Sequence, residues 1–109
     1  MFTGQYKSDS VFSIKIHRMP KETILAVCDE EILGMKFSDG EKRIEVYGSF
    51  YGGRSIEEES LARYMEEATI VNLVGIRAVR KAIDLDYVDE DRVLKIGETV
   101  HAQFAVLKK

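Results

Sequence analysis

The chain has 109 residues, of which 45% are hydrophobic and 32% are charged, and its net charge is −3. This apolar fraction excludes general disorder, and no apolar run approaches the roughly 18 residues that a membrane span needs. The lone cysteine, Cys28, cannot close an internal disulfide, and the first residues do not resemble a signal peptide. We therefore expect one cytoplasmic domain over residues 1–109, with a loose lead-in at 1–9.

The acidic balance argues against general nucleic-acid binding. The chain carries 16 basic and 19 acidic residues, whereas nonspecific binders are usually basic because they neutralise phosphates. We expect no DNA partner and no membrane partner. An RNA partner at a local basic patch, a protein partner and a homodimer through an open sheet edge all remain open.

The first part of the chain predicts two strands and a helical turn. Apolar and polar side chains alternate over 11–18, which indicates a half-buried strand. The run 23–28 is apolar on both faces, as a central strand would be, and Pro20 marks the turn between the two. Asp29 and Gly34 have the spacing of a cap and an end for one helical turn.

Further along, the pattern predicts a strand and then helix. Residues 43–51 alternate again and are followed by a glycine pair. Ser55 and Glu58 then have the spacing of a capping box, which predicts that a helix begins there. A second helical stripe runs over 70–83. The two stripes are only modestly out of phase, so one long kinked helix is the alternative to two.

The chain closes with a predicted hairpin. Residues 93–96 and 99–107 flank Gly97-Glu98, which suits a type II′ turn. The whole order is β-β-(short α)-β-α-α-β-β. This order predicts a single α+β domain with a mainly antiparallel sheet of about five strands and two helices, or one kinked helix, on one face. Whether the sheet is open or closes into a barrel stays open.

The loop Phe50-Tyr51-Gly52-Gly53-Arg54 is the first candidate binding segment. It is predicted to lead from a strand into a helix N-terminus, where backbone N–H groups, the helix dipole and Arg54 can hold an anion. The glutamates at 57–59 favour a plainer interpretation, a glycine turn before a capped helix. They already satisfy the positive end of the helix and would repel phosphate.

A second candidate surface combines aromatic and basic side chains. Tyr47 and Tyr51 are predicted on one strand face with Arg43, an arrangement that can stack bases, although a helix can equally cover it. Arg77 and Arg80 project from the second helix away from its apolar stripe. They are either RNA contacts or part of a solvated helix face.

Catalytic and metal chemistry find little support in the sequence. Cys28 precedes three acidic residues, which raise the pKa of a thiol, so we expect a buried structural cysteine. His17 and His101 have no recognised metal-ligand spacing with it. We predict no metal and no cofactor, assign no catalytic residue, and lean against an enzyme.

Four motifs in order resemble one known family. They are Cys28–Gly34, Phe50–Gly53, Ala68–Gly75 and His101–Gln103. In this order and at this spacing they resemble the archaeal domain-of-unknown-function 424 family over about residues 11–107. The resemblance implies an archaeal, cytoplasmic, single-domain protein, and it carries over no catalytic residue.

The motif positions indicate where to look for a site. They are Phe50, Tyr51, Gly52, Gly53, Asn72, Gly75, His101 and Gln103. Packing alone does not explain Asn72, His101 and Gln103, because a buried amide needs partners. We expect these three in one polar network at the helix–sheet interface, either as a small binding site or as an internal clasp.

Two functions follow as hypotheses. The favoured one is a noncatalytic cytoplasmic binding module that acts through a protein or RNA partner. The alternative is a small-molecule-binding protein or enzyme whose polar site lies around Asn72, His101, Gln103 and the Gly52-Gly53 loop. The two differ in whether those three side chains border a pocket and whether the pKa of His101 is shifted.

Overall fold

The computed structural model describes residues 10–107, and the predicted lead-in at 1–9 lies outside them. The strands are β1 (Ser10–Arg18), β2 (Thr23–Asp29), β3 (Lys36–Asp39), β4 (Lys42–Glu45), β5 (Arg54–Glu57), β6 (Ile70–Val74), β7 (Leu94–Ile96) and β8 (Thr99–Ala105). The helices are α1 (Gly48–Tyr51), α2 (Leu61–Glu67) and α3 (Ile76–Asp84). Short 3₁₀ turns cover Glu30–Ile32, Glu58–Ser60 and Glu90–Arg92.

Most of the strands form one open sheet. Its order is β5-β1-β2-β6-β8-β7, with β5 and β7 at the edges, and β3 and β4 pair separately as a hairpin. Only β2 and β6 run parallel within this part of the chain, and the other neighbours are antiparallel. The predicted α+β class with a mainly antiparallel sheet is confirmed. The closing hairpin is confirmed too, with Gly97 at φ +62° in its turn.

The two faces of the sheet are covered differently. Helices α2 and α3 pack on one face over the main core, whose largest fully buried side chains include Phe12, Ile14, Leu25, Leu61, Met65 and Leu73. Side chains alternate along each strand, so Ala26, Cys28 and Val74 point to the opposite face. There they pack with Val46 and Tyr51 under the hairpin and α1. The domain thus has three layers: the helices α2 and α3, the sheet, and the hairpin with α1.

Two boundaries differ from those predicted around the glycine pair. The strand expected over 43–51 ends at Glu45, and its last residues form α1 instead. The helix expected from Ser55 begins only at Leu61, because residues 54–57 pair with β1 as an edge strand. Propensity read locally cannot show that a distant strand offers its hydrogen-bonding edge to this segment.

The prediction of a helix over 70–83 is correct only for its second half. Its first part is β6, which lies between β2 and β8, and α3 begins at Ile76. A short run that is apolar nearly all round fits a central strand as well as a buried helix, and periodicity does not separate them. The segment 56–84 therefore holds two helices with a strand between them, and the single kinked helix is excluded.

Asp29 joins β2 to α3. It is 4% exposed, and its carboxylate accepts hydrogen bonds from the backbone N–H of Arg77 at 3.1 Å and of Ala78 at 2.8 Å. Burial raises the pKa of Asp29 above its ordinary value, and the two N–H groups oppose that rise. The sequence assigned Asp29 to the 3₁₀ turn that follows it, where its side chain makes no capping bond. It caps α3 instead.

Gly75 allows this contact. It has φ +118°, and a Cβ added to it would lie 2.5 Å from Cγ of Asp29. A side chain at position 75 would therefore be strained in its backbone and would displace the carboxylate from the start of α3.

We predict that Gly75→Ala destabilises the protein by about 3 kcal/mol, because it combines backbone strain with the loss of the Asp29 contacts. Gly48→Ala is the matched control, since a Cβ there meets nothing within 4 Å. The free energy of unfolding in urea measures both. Equal stability of the two variants would contradict this account of Gly75.

Candidate functional site

Four polar side chains meet on the sheet face that carries α1. The Tyr51 hydroxyl donates to Oδ1 of Asn72 at 2.5 Å, and Nε2 of His101 lies 3.2 Å from the same oxygen. Nδ2 of Asn72 donates to Oε1 of Gln103 at 3.1 Å. We call Tyr51, Asn72, His101 and Gln103 the amide network. The structure thus brings together the three residues singled out from the sequence and adds Tyr51 as the fourth.

Strand register places these side chains together. Asn72 lies opposite Gln103, and Val74 lies opposite His101, in the β6–β8 pair. Residues two apart on a strand share a face, so His101 and Gln103 flank Asn72. The end of α1 is tied down as well, because Ser13 Oγ donates to the Tyr51 carbonyl at 2.9 Å. The network therefore joins α1 to the sheet.

The hydrogen bonds determine the protonation of the network. Oδ1 of Asn72 can only accept, so the Nε2 of His101 that faces it carries the hydrogen. Burial lowers the pKa of His101 and raises that of Tyr51, so both are neutral at pH 7. The pKa of His101 is thus shifted, as the small-molecule alternative expects, but the polar groups of the network bond to one another, and this favours the clasp interpretation over a reactive site.

The glycine loop is a tight turn. A Cβ on Gly53 would lie 2.6 Å from the carbonyl oxygen of Ile14, and one on Gly52 would lie 2.8 Å from that of Gly48. The chain then continues as β5, so the loop does not lead directly into a helix N-terminus as predicted. Arg54, expected beside an anion, donates to the Tyr64 hydroxyl at 3.0 Å. These contacts support the plainer interpretation, a glycine turn.

Phe50 connects α1 to strand β1 through contacts with His17. Its ring stacks on His17 at 4.6 Å between centroids, and Nε2 of His17 lies 2.9 Å from its carbonyl oxygen. Phe50 is half-buried and belongs to the smaller core with Tyr51. These contacts indicate that Phe50 has a packing role.

The predicted strand face of Tyr47 and Tyr51 does not exist. Tyr51 lies in α1 and is 4% exposed, whereas Tyr47, just before α1, is 54% exposed. The two diverge because the chain leaves the strand at Glu45. Arg43 and Tyr47 nevertheless line one open groove of about 640 Å³. We call it the hairpin groove; its lining residues are Lys36, Phe37, Ser38, Arg43, Ile44, Glu45 and Tyr47.

Sequence reasoning missed Lys36, Phe37 and Glu45 as groove residues. A signal for these residues is present in the sequence, because Ser38-Asp39-Gly40 is typical of a tight turn. A hairpin closed there pairs Lys36 with Glu45, as the structure does. Only the placement of Tyr47 needed the tertiary structure.

The two arginines of α3 lie elsewhere, on the helix-bearing face. The Arg77 guanidinium bonds to Glu31 at 2.6 Å and to the Val11 carbonyl at 3.0 Å. Arg77 and Arg80 line a smaller groove of about 210 Å³ that also contains acidic side chains. The hairpin groove and this one are on opposite sides of the sheet.

Cys28 is a structural residue, as predicted. It is fully buried, and burial, with a smaller effect of Asp29, raises the pKa of its thiol to about 12. Among residues 10–107, no three His, Cys, Asp or Glu side chains are placed to hold a metal ion. No helix in this part of the chain is long and apolar enough to cross a membrane.

The protein is thus an α+β domain with an open sheet, which carries α2 and α3 on one face and the hairpin with α1 on the other. The profile of the DUF424 family, described as proteins of unknown function, matches residues 17–107. The chain belongs to this family, which confirms the resemblance drawn from the four motifs.

The fold is also similar to a solved structure, the crystal structure of an uncharacterized conserved protein from Methanopyrus kandleri. The two share 25% sequence identity and a TM-score of 0.76, over 90% of this chain and 93% of that one. No curated protein matches the chain.

We predict that Asn72→Ala lowers the free energy of unfolding by about 2 kcal/mol, because it leaves the Tyr51 hydroxyl and the imidazole of His101 without their partner. A double-mutant cycle with Tyr51→Phe should show a coupling of about 1 kcal/mol. Gln103→Ala, which removes only one bond at an exposed side chain, is the control and should cost less. Additive effects of Tyr51→Phe and Asn72→Ala would argue against the clasp.

We predict that His101 makes stability depend on pH. Its pKa is below 6.5 in the folded state, so the unfolded chain takes up the proton first as the pH falls. The free energy of unfolding should therefore decrease below pH 6.5 and level off once the folded state is protonated too. His101→Gln should flatten this decrease in urea titrations between about pH 7 and pH 5. An unchanged pH profile in His101→Gln would contradict the assignment.

Proposed function

We propose that this protein is a noncatalytic binding module of the cytoplasm that takes single-stranded RNA in the hairpin groove. The observation that carries the proposal is the meeting of Arg43 and Tyr47 in one open groove, where Lys36 joins them. The amide network plays a supporting part, because it holds α1 and thereby the residue that precedes it.

The groove offers a stacking platform. Tyr47 exposes more than half of its surface beside the open groove of the hairpin. A base stacked on an aromatic ring contributes about 1–3 kcal/mol in single-strand binding. Phe37 and Ile44 lie opposite each other on the face of the hairpin that packs onto the smaller core, and this packing holds the hairpin against the sheet.

The groove also offers two unpaired cations. Within residues 10–107 the Lys and Arg ion pairs are those of Arg77 and Lys81, so Lys36 and Arg43 have none. Glu45 lines the same groove and still pairs with neither of them. Two phosphates neutralised on a single strand give a slope of about −1.4 for log K against log salt concentration. Such a modest slope fits a local site on an acidic protein.

A protein partner is the second candidate, and a specific observation favours it. Met35 and Leu33 are 46% and 38% exposed, and backbone bonds of Gly34 and Met35 to Val46 hold them beside Tyr47. Aromatic residues, Met and Arg are enriched in protein interfaces. A pull-down with and without ribonuclease separates the two candidates.

We predict that Tyr47→Ala and Arg43→Ala each weaken the binding of a fluorescent oligouridine RNA by about fivefold or more, measured by anisotropy. Tyr47→Phe keeps the ring and should bind like the wild type. Arg63→Ala, on α2 across the sheet, is the charge-matched control for Arg43→Ala and should not change affinity. The salt slope should become shallower by about 0.7 in Arg43→Ala.

The proposal is overturned if Arg63→Ala loses RNA binding, or if neither Tyr47→Ala nor Arg43→Ala changes the affinity for RNA. A pull-down from lysate of the source cells, with and without ribonuclease, addresses the second candidate. A ribonuclease-resistant protein that wild type captures and Tyr47→Ala and Met35→Ala do not would favour the protein partner.

A further inference from the structure

We infer that the hairpin groove selects a nucleotide whose base presents adjacent N–H donors, guanine above all, through the carboxylate of Glu45. The inference rests on the proposed function and names the chemistry that the groove recognises. Among the groove residues, Glu45 is the one whose presence phosphate binding does not explain, because a carboxylate repels phosphate.

The position of Glu45 is set by the hairpin. It ends β4 opposite Lys36, and Tyr47 follows two residues later at the start of α1. Glu45 is half-buried and rigidly held by the strand pair. A base stacked on Tyr47 would therefore present its edge close to a fixed carboxylate.

The carboxylate of Glu45 is available to a ligand. In the part of the chain that the structure describes, its oxygens take no side-chain hydrogen bond and form no ion pair with Lys36 or Arg43. A half-buried carboxylate that two nearby cations leave unpaired keeps its acceptor sites free. Lys36 and Arg43 form no ion pair with any of residues 10–107, so both cations can meet the phosphates on either side of the base.

The chemistry of the base edges then decides the preference. An ionised carboxylate only accepts hydrogen bonds, and it has two oxygens to place side by side. Guanine presents two neighbouring N–H donors on its Watson–Crick edge, whereas cytosine and adenine present one exocyclic amino group. Uracil flanks its single N–H with two carbonyl oxygens, which a carboxylate repels. The expected order is guanine, then cytosine and adenine, then uracil.

Short oligouridine RNAs that differ only in one central base test this order by fluorescence anisotropy. Wild-type protein should bind the RNA with the central guanine about tenfold tighter than plain oligouridine. Glu45→Gln has the same shape but one acceptor, and it should reduce this preference to about twofold or less while leaving the affinity for oligouridine similar or slightly higher.

Glu41→Gln is the matched control, because it removes the same charge from the exposed turn of the hairpin and should keep the full preference. Glu45→Asp retains a carboxylate on a shorter side chain and should keep part of it, which separates recognition from any loss of folding. Urea midpoints of all variants show that they are folded.

The outcomes separate the two proposals. A guanine preference that survives Glu45→Gln, or binding that depends on Tyr47 and Arg43 but not on the base, overturns the inference and leaves RNA binding standing. A protein that binds none of these RNAs overturns RNA binding itself.

Discussion

The contact between Asp29 and the start of α3 sets the architecture of the domain. Asp29 ends β2 and Gly75 follows β6, and these two strands are the parallel pair within the described residues. Parallel neighbours require a long connection between them. Here that connection contains the hairpin, α1, β5 and α2. Because the carboxylate bonds to the start of α3, which follows β6, it holds the carboxyl ends of the two parallel strands together.

The long connection between β2 and β6 also covers the second face of the sheet. The hairpin and α1 lie over Ala26, Cys28 and Val74. The amide network then pins the last residue of α1 to Asn72. The backbone N–H groups of Phe50 and Tyr51 bond to the carbonyl of Tyr47, so the same short helix fixes the residue that opens the groove. The network and the groove are thus two ends of one structural element.

This arrangement explains why the most polar sequence motif need not be the binding surface. Asn72, His101 and Gln103 stand out in the sequence because amides and imidazoles rarely lie in a packed layer without a partner. The structure supplies those partners within the chain. Of the side chains of the hairpin groove, Arg43 and Tyr47 are candidates in the sequence, whereas Lys36 and Glu45 look ordinary there. Among residues 10–107, Lys36, Arg43 and Glu45 form no ion pairs. Unsatisfied groups on a rigid platform are better candidates for recognition than satisfied ones.

The sequence by itself determined what depends on local pattern: the α+β class, the first two strands, the closing hairpin and the buried cysteine. Alternation and turn residues act over a few positions, so these features are readable in the chain. Only the tertiary structure decided that 54–57 and 70–74 are strands, since their partners are distant in sequence. It likewise separated Tyr47 from Tyr51, because Tyr51 bonds to Asn72 on a distant strand. It also gave Asp29 its helix, because α3 follows β6, which pairs with β2.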